Sequence, residues 1–230
     1  MKKIVFGALA ATTALIATPA LAVDAYTVFN GVNGTGGFYY GSANGTTLTD
    51  YDSAAVGACF LPGGTCLYSS TAPEGVIPGV VKGGSFPTVN YSGTTLAMHP
   101  GSSLGAFASF EATTAGNYSY SLLLQSIGMD TGATSGPGVG YTLFTGGTFG
   151  SRTVLGSYLA SSGALTGSVF LNAGERFGVV VDNNGNYGGD TTALTFSVAG
   201  VPEPAQWALM IGGFGMIGGA MRRRRTLVAA

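Results

Sequence analysis

LTGSVFLNAGERFGVVVDNNGNYGGDTTALTFSVA, residues 165–199, decides the fold. Three apolar runs, 165–171, 176–182 and 193–199, are separated by Asn, Ala and Gly and then by a cluster of Asn, Gly and Asp, the residues that make tight turns. In the last run Leu194, Phe196 and Val198 interleave with Thr195 and Ser197, the period of two that marks a strand with one buried face. Working upstream, 139–144 and 151–159 continue the series at regular spacing, which suits an antiparallel sandwich better than a parallel sheet.

Further strands are expected over 26–29, 37–41, 94–98, 106–111 and 117–127. Over 106–111 the alternation sets Phe107, Ser109 and Glu111 against Ala108 and Phe110, with bulky residues in both phases. The stretch 50–95 lacks this rhythm and carries Pro62, Pro73, Pro78 and Pro87 among glycines, so it reads as long loops with at most short strands. The composition agrees. Forty glycines and 8% charged residues in 230 describe many short strands joined by tight turns, in an all-β chain with helices confined to its ends.

The two ends read differently from the middle. Lys2 and Lys3 precede an apolar run over 4–16, and Thr18-Pro19-Ala20-Leu21-Ala22 closes it with the small-x-small pattern a signal peptidase accepts. Residues 1–22 are therefore expected to be a cleaved signal peptide, with Ala20 and Ala22 at the cleavage site and Val23 as the first mature residue. The folded domain is expected over 23–200, loop-rich over 50–93 and most regular over 94–199. At the other end, Pro202-Glu203-Pro204 stops any strand ladder. Trp207 and Ala208 follow, then an uncharged apolar and glycine run to 221, then Arg222, Arg223, Arg224 and Arg225. A tryptophan at the interface, an apolar run and a cytoplasmic arginine cluster are the parts of a transmembrane anchor, and 205–221 is long enough to span at its lower limit.

The order Pro202-Glu203-Pro204, Trp207-Ala208, glycine-rich apolar run and arginine cluster resembles the PEP-CTERM sorting signal in its PEPxxWA variant, over residues 201–230. The resemblance implies recognition by exosortase near the Pro-Glu-Pro motif, in bacteria that make extracellular polysaccharide. It implies a transient stay at the inner membrane and a destination at the cell surface or outside the cell. It implies no activity.

Charge and cysteines narrow the functional classes. Six of the nine basic residues lie at the ends, so residues 23–201 hold only Lys82, Arg152 and Arg176 against nine acids, a charge near −6. Phosphate binding needs clustered cations, so nucleic acid is excluded as a partner. Cys59 and Cys66 flank a six-residue loop, and in an exported chain with no other cysteine a disulfide is the expected state. A zinc site is a poor competitor, because the spacing is not CxxC and His99 is the sole histidine.

From His99 onward a second resemblance runs. Leu96-Ala97-Met98-His99-Pro100-Gly101, Phe110-Glu111-Ala112, Gly116-Asn117-Tyr118, Asn172-Ala173-Gly174-Glu175 and Val181-Asp182-Asn183-Asn184-Gly185-Asn186 with Asp190 follow an order similar to jelly-roll modules found beside carbohydrate-active domains. That implies a jelly-roll sandwich over 94–199, with Asp130 as its middle aspartate.

Candidate chemistry is sparse. The loop from Asp182 through Asn184 and Asn186 to Asp190 offers oxygen ligands that calcium could take; with only two carboxylates and no EF-hand order it reads first as a turn in which Asx side chains bond their own backbone and glycine supplies positive φ. His99 lacks a base or nucleophile partner and fits a turn or strand end better than catalysis. No Gly-x-Ser-x-Gly elbow with triad partners assembles around it. A glycoside hydrolase would draw on Glu111, Asp130, Glu175 and Asp182, and requires Glu111 and Asp182 to meet in one cleft. Glu175 fits a turn leading into the strand with Arg176. Of the eleven tyrosines, Tyr39, Tyr40, Tyr118, Tyr120, Tyr141 and Tyr158 fit the filling and rim of a sandwich, whereas Tyr187 in the acidic loop suits sugar stacking. The functional reading is a non-catalytic surface or matrix protein that associates with extracellular polysaccharide, with a glycan hydrolase and a structural coat or adhesin protein as alternatives.

Overall fold

The computed structural model describes residues 21–85, 93–127, 139–146, 152–159, 164–185, 187–201, 211–218 and 222. Residues 21–201 form one compact unit. Its strands are β1 (Val23–Asp24), β2 (Phe38–Asn44), β3 (Thr47–Asp50), β4 (Ser53–Val56), β5 (Thr65–Tyr68), β6 (Gly79–Lys82), β7 (Leu96–His99), β8 (Gly105–Glu111), β9 (Gly116–Ser126), β10 (Gly140–Gly146), β11 (Arg152–Leu159), β12 (Leu165–Leu171), β13 (Arg176–Asp182) and β14 (Thr192–Gly200). They make two antiparallel sheets. The first runs β12-β9-β14-β7-β6-β5-β4, with β1 also on β14; the second runs β11-β10-β13-β8-β2-β3.

From β7 onward β7 pairs with β14, β8 with β13, β9 with β12 and β10 with β11, the nesting made by rolling up one long hairpin. The rolling lays the sheets face to face. Leu96, Met98, Leu122, Leu124, Leu194, Phe196 and Val198 of the first meet Phe38, Tyr40, Ala106, Ala108, Tyr141, Phe177, Val179 and Val181 of the second in one buried core. Phe38 and Phe177 lie edge-on to Phe196 with ring centroids 5.2 and 5.9 Å apart. Each such fully buried side chain stabilises the fold by about 1.5–3 kcal/mol.

Two smaller clusters cover the outer faces and explain where simple alternation fails. On the second sheet Ala43, Leu48, Phe107, Phe144 and Val180 are buried on the side away from the main core. This is why β8 carries bulky residues in both phases, and why β13 reads as a continuous apolar run. Register puts Gly41 opposite Phe107, and a Cβ at Gly41 would collide with the Phe107 ring and the Thr49 carbonyl, so glycine makes room for the ring. The Arg152 amide donates to the Thr46 carbonyl at 3.1 Å, linking edge strand β11 to the β2–β3 turn and curling the sheet. On the first sheet Cys59, Leu61, Cys66, Val81, Ala97, Ile127 and Ala193 cluster on the outer face. The Cys59–Cys66 disulfide is formed, and it fastens the loop between β4 and β5 over that face.

The expected strand at 26–29 is instead one helical turn, α1 (Ala25–Val28). Asp24 caps it, its Oδ1 accepting from the Thr27 amide at 2.9 Å and the Thr27 hydroxyl at 3.0 Å; this local side-chain bonding outweighs the β preference of Tyr, Val and Phe. The proline-rich stretch contributes β4, β5 and β6, each four residues long, which extend the first sheet at its edge.

Outside the compact unit, residues 211–218 are helical, with Ile211, Phe214, Met216 and Ile217 exposed. Among the described residues no helix is long and apolar enough to cross a membrane. The rest of the expected 205–221 helix lies outside the described residues, as do Ala20, Pro202, Glu203, Pro204, Trp207, Ala208, Arg223, Arg224 and Arg225; Arg222 is described and exposed.

Candidate functional site

Three loops meet at one end of the sandwich, where β13 hands over to β14. Asp182 Oδ1 accepts from the Asn184 amide at 3.1 Å, and Asn183 Oδ1 from the Gly185 amide at 3.0 Å. These overlapping turns need left-handed backbone, with φ of 39° at Asn184 and 96° at Gly185, conformations that Asn and Gly adopt most readily. Asn183 Nδ2 then donates to the Gly101 and Ser102 carbonyls at 3.0 and 2.7 Å, tying the acidic loop to the β7–β8 turn. Glu74 holds that turn from the other side, accepting from the Ser102 amide and hydroxyl.

His99 closes β7 directly above this junction. Its Nδ1–H donates to the Pro100 carbonyl at 2.6 Å, since a carbonyl can only accept. Burial pulls the imidazole below its usual range, and the bond to Pro100 offsets part of that fall. The ring sits between two others: Phe60, of the disulfide loop, at 5.5 Å and Tyr187, of the acidic loop, at 6.4 Å, both edge-on. Register sets Tyr68, Gly79 and His99 side by side on the outer face of the first sheet. A Cβ at Gly79 would collide with the Val76 carbonyl oxygen, and Phe60 Cε1 lies 3.4 Å from the same point, so the ring packs against the bare backbone of the glycine. The result is three rings in edge-on contact, Phe60, His99 and Tyr187, with Tyr187 36% exposed and Tyr68 on the same face beyond Gly79. Amide, hydroxyl and carboxylate groups of Asn183, Ser102 and Glu74 adjoin it.

Asp190 lies behind Tyr187, 6% exposed, and its Oδ2 is buried with no hydrogen-bond partner. Burial, then the nearby Asp182 charge, push its carboxyl up to about 6. Asn186 lies outside the described residues. Among those described, no three His, Cys, Asp or Glu side chains gather as a metal site.

The carboxylates proposed for glycoside hydrolysis are dispersed. Glu111 stands opposite Arg176 at one end of β13, six residues from Asp182 at the other. That span is about 20 Å at a strand's rise per residue, whereas the two hydrolytic geometries need about 5–9.5 Å. Glu111 Oε2 accepts from Arg176 Nε at 3.0 Å, while Asp50 receives Nη1 and Nη2 at 2.7 and 3.1 Å. Glu175 accepts from the Asn172 amide and Nδ2, both at 3.0 Å, inside the turn before β13. Asp130 lies outside the described residues.

The strand tyrosines are mostly structural. Tyr40, Tyr118 and Tyr141 are buried, Tyr120 packs on Phe177 at 4.4 Å, and Tyr39 lies under the Arg176 guanidinium at 3.7 Å. Tyr158 stacks on Tyr141 at 5.3 Å and is 40% exposed. Phe60 and Tyr68 were not legible as site residues, because only the disulfide and the β5–β6–β7 register bring them to His99.

No family model matches the chain, and no curated protein matches it. Among solved structures it is similar to a GH26-CBM35 β-(1,4)-mannanase of Podospora anserina, at 13% identity over 73% of this chain and 29% of that one, TM-score 0.31. It thus spans less than a third of the mannanase. It is also similar to a mutant of the family 29 carbohydrate-binding module CBM29-2, at 11% identity over 80% of this chain and 98% of that one, TM-score 0.30. A third is Eiger TNF of S. frugiperda, at 14% identity over 81% and 95%, TM-score 0.30. These likenesses identify neither a family nor a ligand for this chain.

Proposed function

We propose that this is an exported, non-catalytic β-sandwich of jelly-roll type that works at the bacterial cell surface or in the extracellular matrix, where its aromatic loop end associates with extracellular polysaccharide. The observation that carries the reading is the edge-on run of Phe60, His99 and Tyr187, with Tyr68 on the same face of the sheet. Sugar rings present C–H faces that pack on aromatic rings and hydroxyls that bond to amides and carboxylates, and both kinds of group stand here side by side. The nested strand pairing supports the jelly-roll assignment.

The route rests on the two termini: signal peptidase removing residues 1–22, and exosortase acting on the tail at Pro202, Glu203 and Pro204. The disulfide supports an oxidising compartment. The compact unit starts at Leu21 and ends at Val201, so removal of both ends would leave the sandwich whole. Intact mass of the secreted protein tests this: the expected species starts at Val23, lacks the tail and gains about 2 Da on reduction, the mass of two protons and two electrons added to one disulfide.

A pull-down with native exopolysaccharide of the producing cells tests the activity. Retention of the wild-type chain is expected, and its absence counts against the reading. The coat or adhesin alternative has one observation in its favour. The outer face of β14, β9 and β12 bears Thr195, Ser197, Ser119, Ser121, Thr166 and Ser168, uncharged, with Leu123 and Phe170 exposed on it. It predicts self-association without glycan binding.

A further inference from the structure

We infer that Asn44, at the tip of the β2–β3 hairpin, is a site of spontaneous deamidation, converting with time to a mixture of aspartate and isoaspartate. Asn-Gly is the dipeptide at which this chemistry runs fastest, because glycine has no Cβ to keep its nitrogen away from the preceding side chain. The sequence holds four such pairs, beginning at Asn30, Asn33, Asn44 and Asn184. The fold engages a reacting group in three of them. Asn30 Oδ1 accepts from the Val32 amide and the Thr35 hydroxyl, both at 3.0 Å. Asn33 Oδ1 accepts from the Tyr40 amide at 2.7 Å, and its Nδ2 donates to the Tyr40 and Tyr51 carbonyls at 3.0 and 2.9 Å. The Gly34 amide beside it donates to the Phe38 carbonyl at 2.8 Å. The Gly185 amide, the nucleophile next to Asn184, donates to Asn183 Oδ1 at 3.0 Å.

Asn44 carries no such restraint. It is exposed, and among the described residues neither its side-chain amide nor the Gly45 N–H forms a hydrogen bond. Asn44 opposite Thr47 is the last pair of the hairpin. Gly45 follows with φ 55° and open space where a Cβ would stand. Only that terminal pair has to open for the side chain to swing over the Gly45 nitrogen, and hairpin tips are among the segments that open at least cost. The Gly45 nitrogen attacks Asn44 Cγ; the new C–N bond replaces the bond to Nδ2, which leaves as ammonia with the Gly45 proton. Water then opens the five-membered imide at one of its two carbonyls. Opening at Cγ gives aspartate, whereas opening at the main-chain carbonyl leaves the chain running through Cγ as isoaspartate with a free α-carboxylate. No electrons are transferred. Both products add a negative charge, and isoaspartate lengthens the main chain beside Thr46, whose carbonyl accepts from the Arg152 amide and fastens edge strand β11. The inference stands on the turn alone and is independent of glycan binding.

The experiment incubates the folded full chain in mildly alkaline heavy-oxygen water, because the reaction runs through the deprotonated Gly45 nitrogen. A matched sample is unfolded in urea. Proteolytic fragments are read by mass spectrometry with electron-transfer fragmentation, which separates isoaspartate from aspartate. In the folded chain, heavy oxygen should enter position 44 about tenfold faster than positions 30, 33 and 184, the factor set by breaking a hydrogen bond or two to release a reacting group. In urea the four positions should convert at similar rates, and Asn44→Gln should remove the leading acidic form of the folded chain. Retention of the Asn44 amide in the folded chain overturns the inference. So does another Asn-Gly pair keeping pace with Asn44 there, a lead of equal size in urea, or an acidic form undiminished in Asn44→Gln.

Discussion

Replacing Arg176 with methionine removes a cation that ties four strands of the second sheet together. Arg176 starts β13, yet its guanidinium bonds Asp50 of β3 in bidentate fashion, bonds Glu111 of β8, and lies over the Tyr39 ring of β2. The arginine is 3% exposed, whereas Asp50 and Glu111 are 18% and 23% exposed. Breaking a buried pair by deleting one partner costs about 3–5 kcal/mol; the partly wet carboxylates place this case at the low end. Loss of the cation over Tyr39 adds about 1 kcal/mol, and the methionine stem recovers some packing. The sum is about 3–4 kcal/mol, or a Tm lower by about 10 °C in a domain of this size. Urea unfolding followed by circular dichroism should show the midpoint fall with the slope unchanged. Arg176→Lys keeps the charge but loses the fork and the stacking, so it should fall between. An Arg176→Met protein within about 1 kcal/mol of wild type would refute the reasoning.

Converting Cys59 and Cys66 to serine opens a loop of about eight residues and should lower stability by about 2.5 kcal/mol on the chain-entropy estimate, measured by the same unfolding experiment under non-reducing conditions. His99 sets a pH dependence of known sign. Burial holds its folded-state pKa below the 6.5 of a free imidazole, so the unfolded chain takes up the proton first and stability falls as pH drops below about 6.5. Subtracting the urea midpoints of His99→Asn from those of wild type between about pH 8 and pH 5 isolates this contribution, and a flat difference would show that His99 is not held neutral by the fold.

Strands that bury one face were legible because their chemistry is local. Leu194, Phe196 and Val198 alternate with polar residues, and the turn residues between 171 and 192 sit where the chain reverses. Strand β8 resisted the same reading since Phe107 belongs to one cluster and Phe110 to another, a condition created by the curl of the sheet rather than by β8 itself. The turn at Ala25 was hidden behind β-prone side chains, although Asp24 three residues before Thr27 was its local signal. Arg176 read as part of a turn with Glu175; its partner Asp50 is 126 positions away in the chain. The aromatic grouping was illegible for the same reason. Positions 60, 68, 99 and 187 share no spacing, and only the disulfide loop, the β5–β6–β7 register and the Asn183 bonds to Gly101 and Ser102 gather them.

Affinity of the native exopolysaccharide for the wild-type chain and for Tyr187→Ala, by affinity electrophoresis with matched thermal melts, tests the central claim most directly. The account predicts binding by the wild type, weakened about tenfold in Tyr187→Ala, the loss of one stacking contact of roughly 1.4 kcal/mol, with Tm unchanged. A wild-type chain that does not bind, or a variant that binds as tightly, would contradict it.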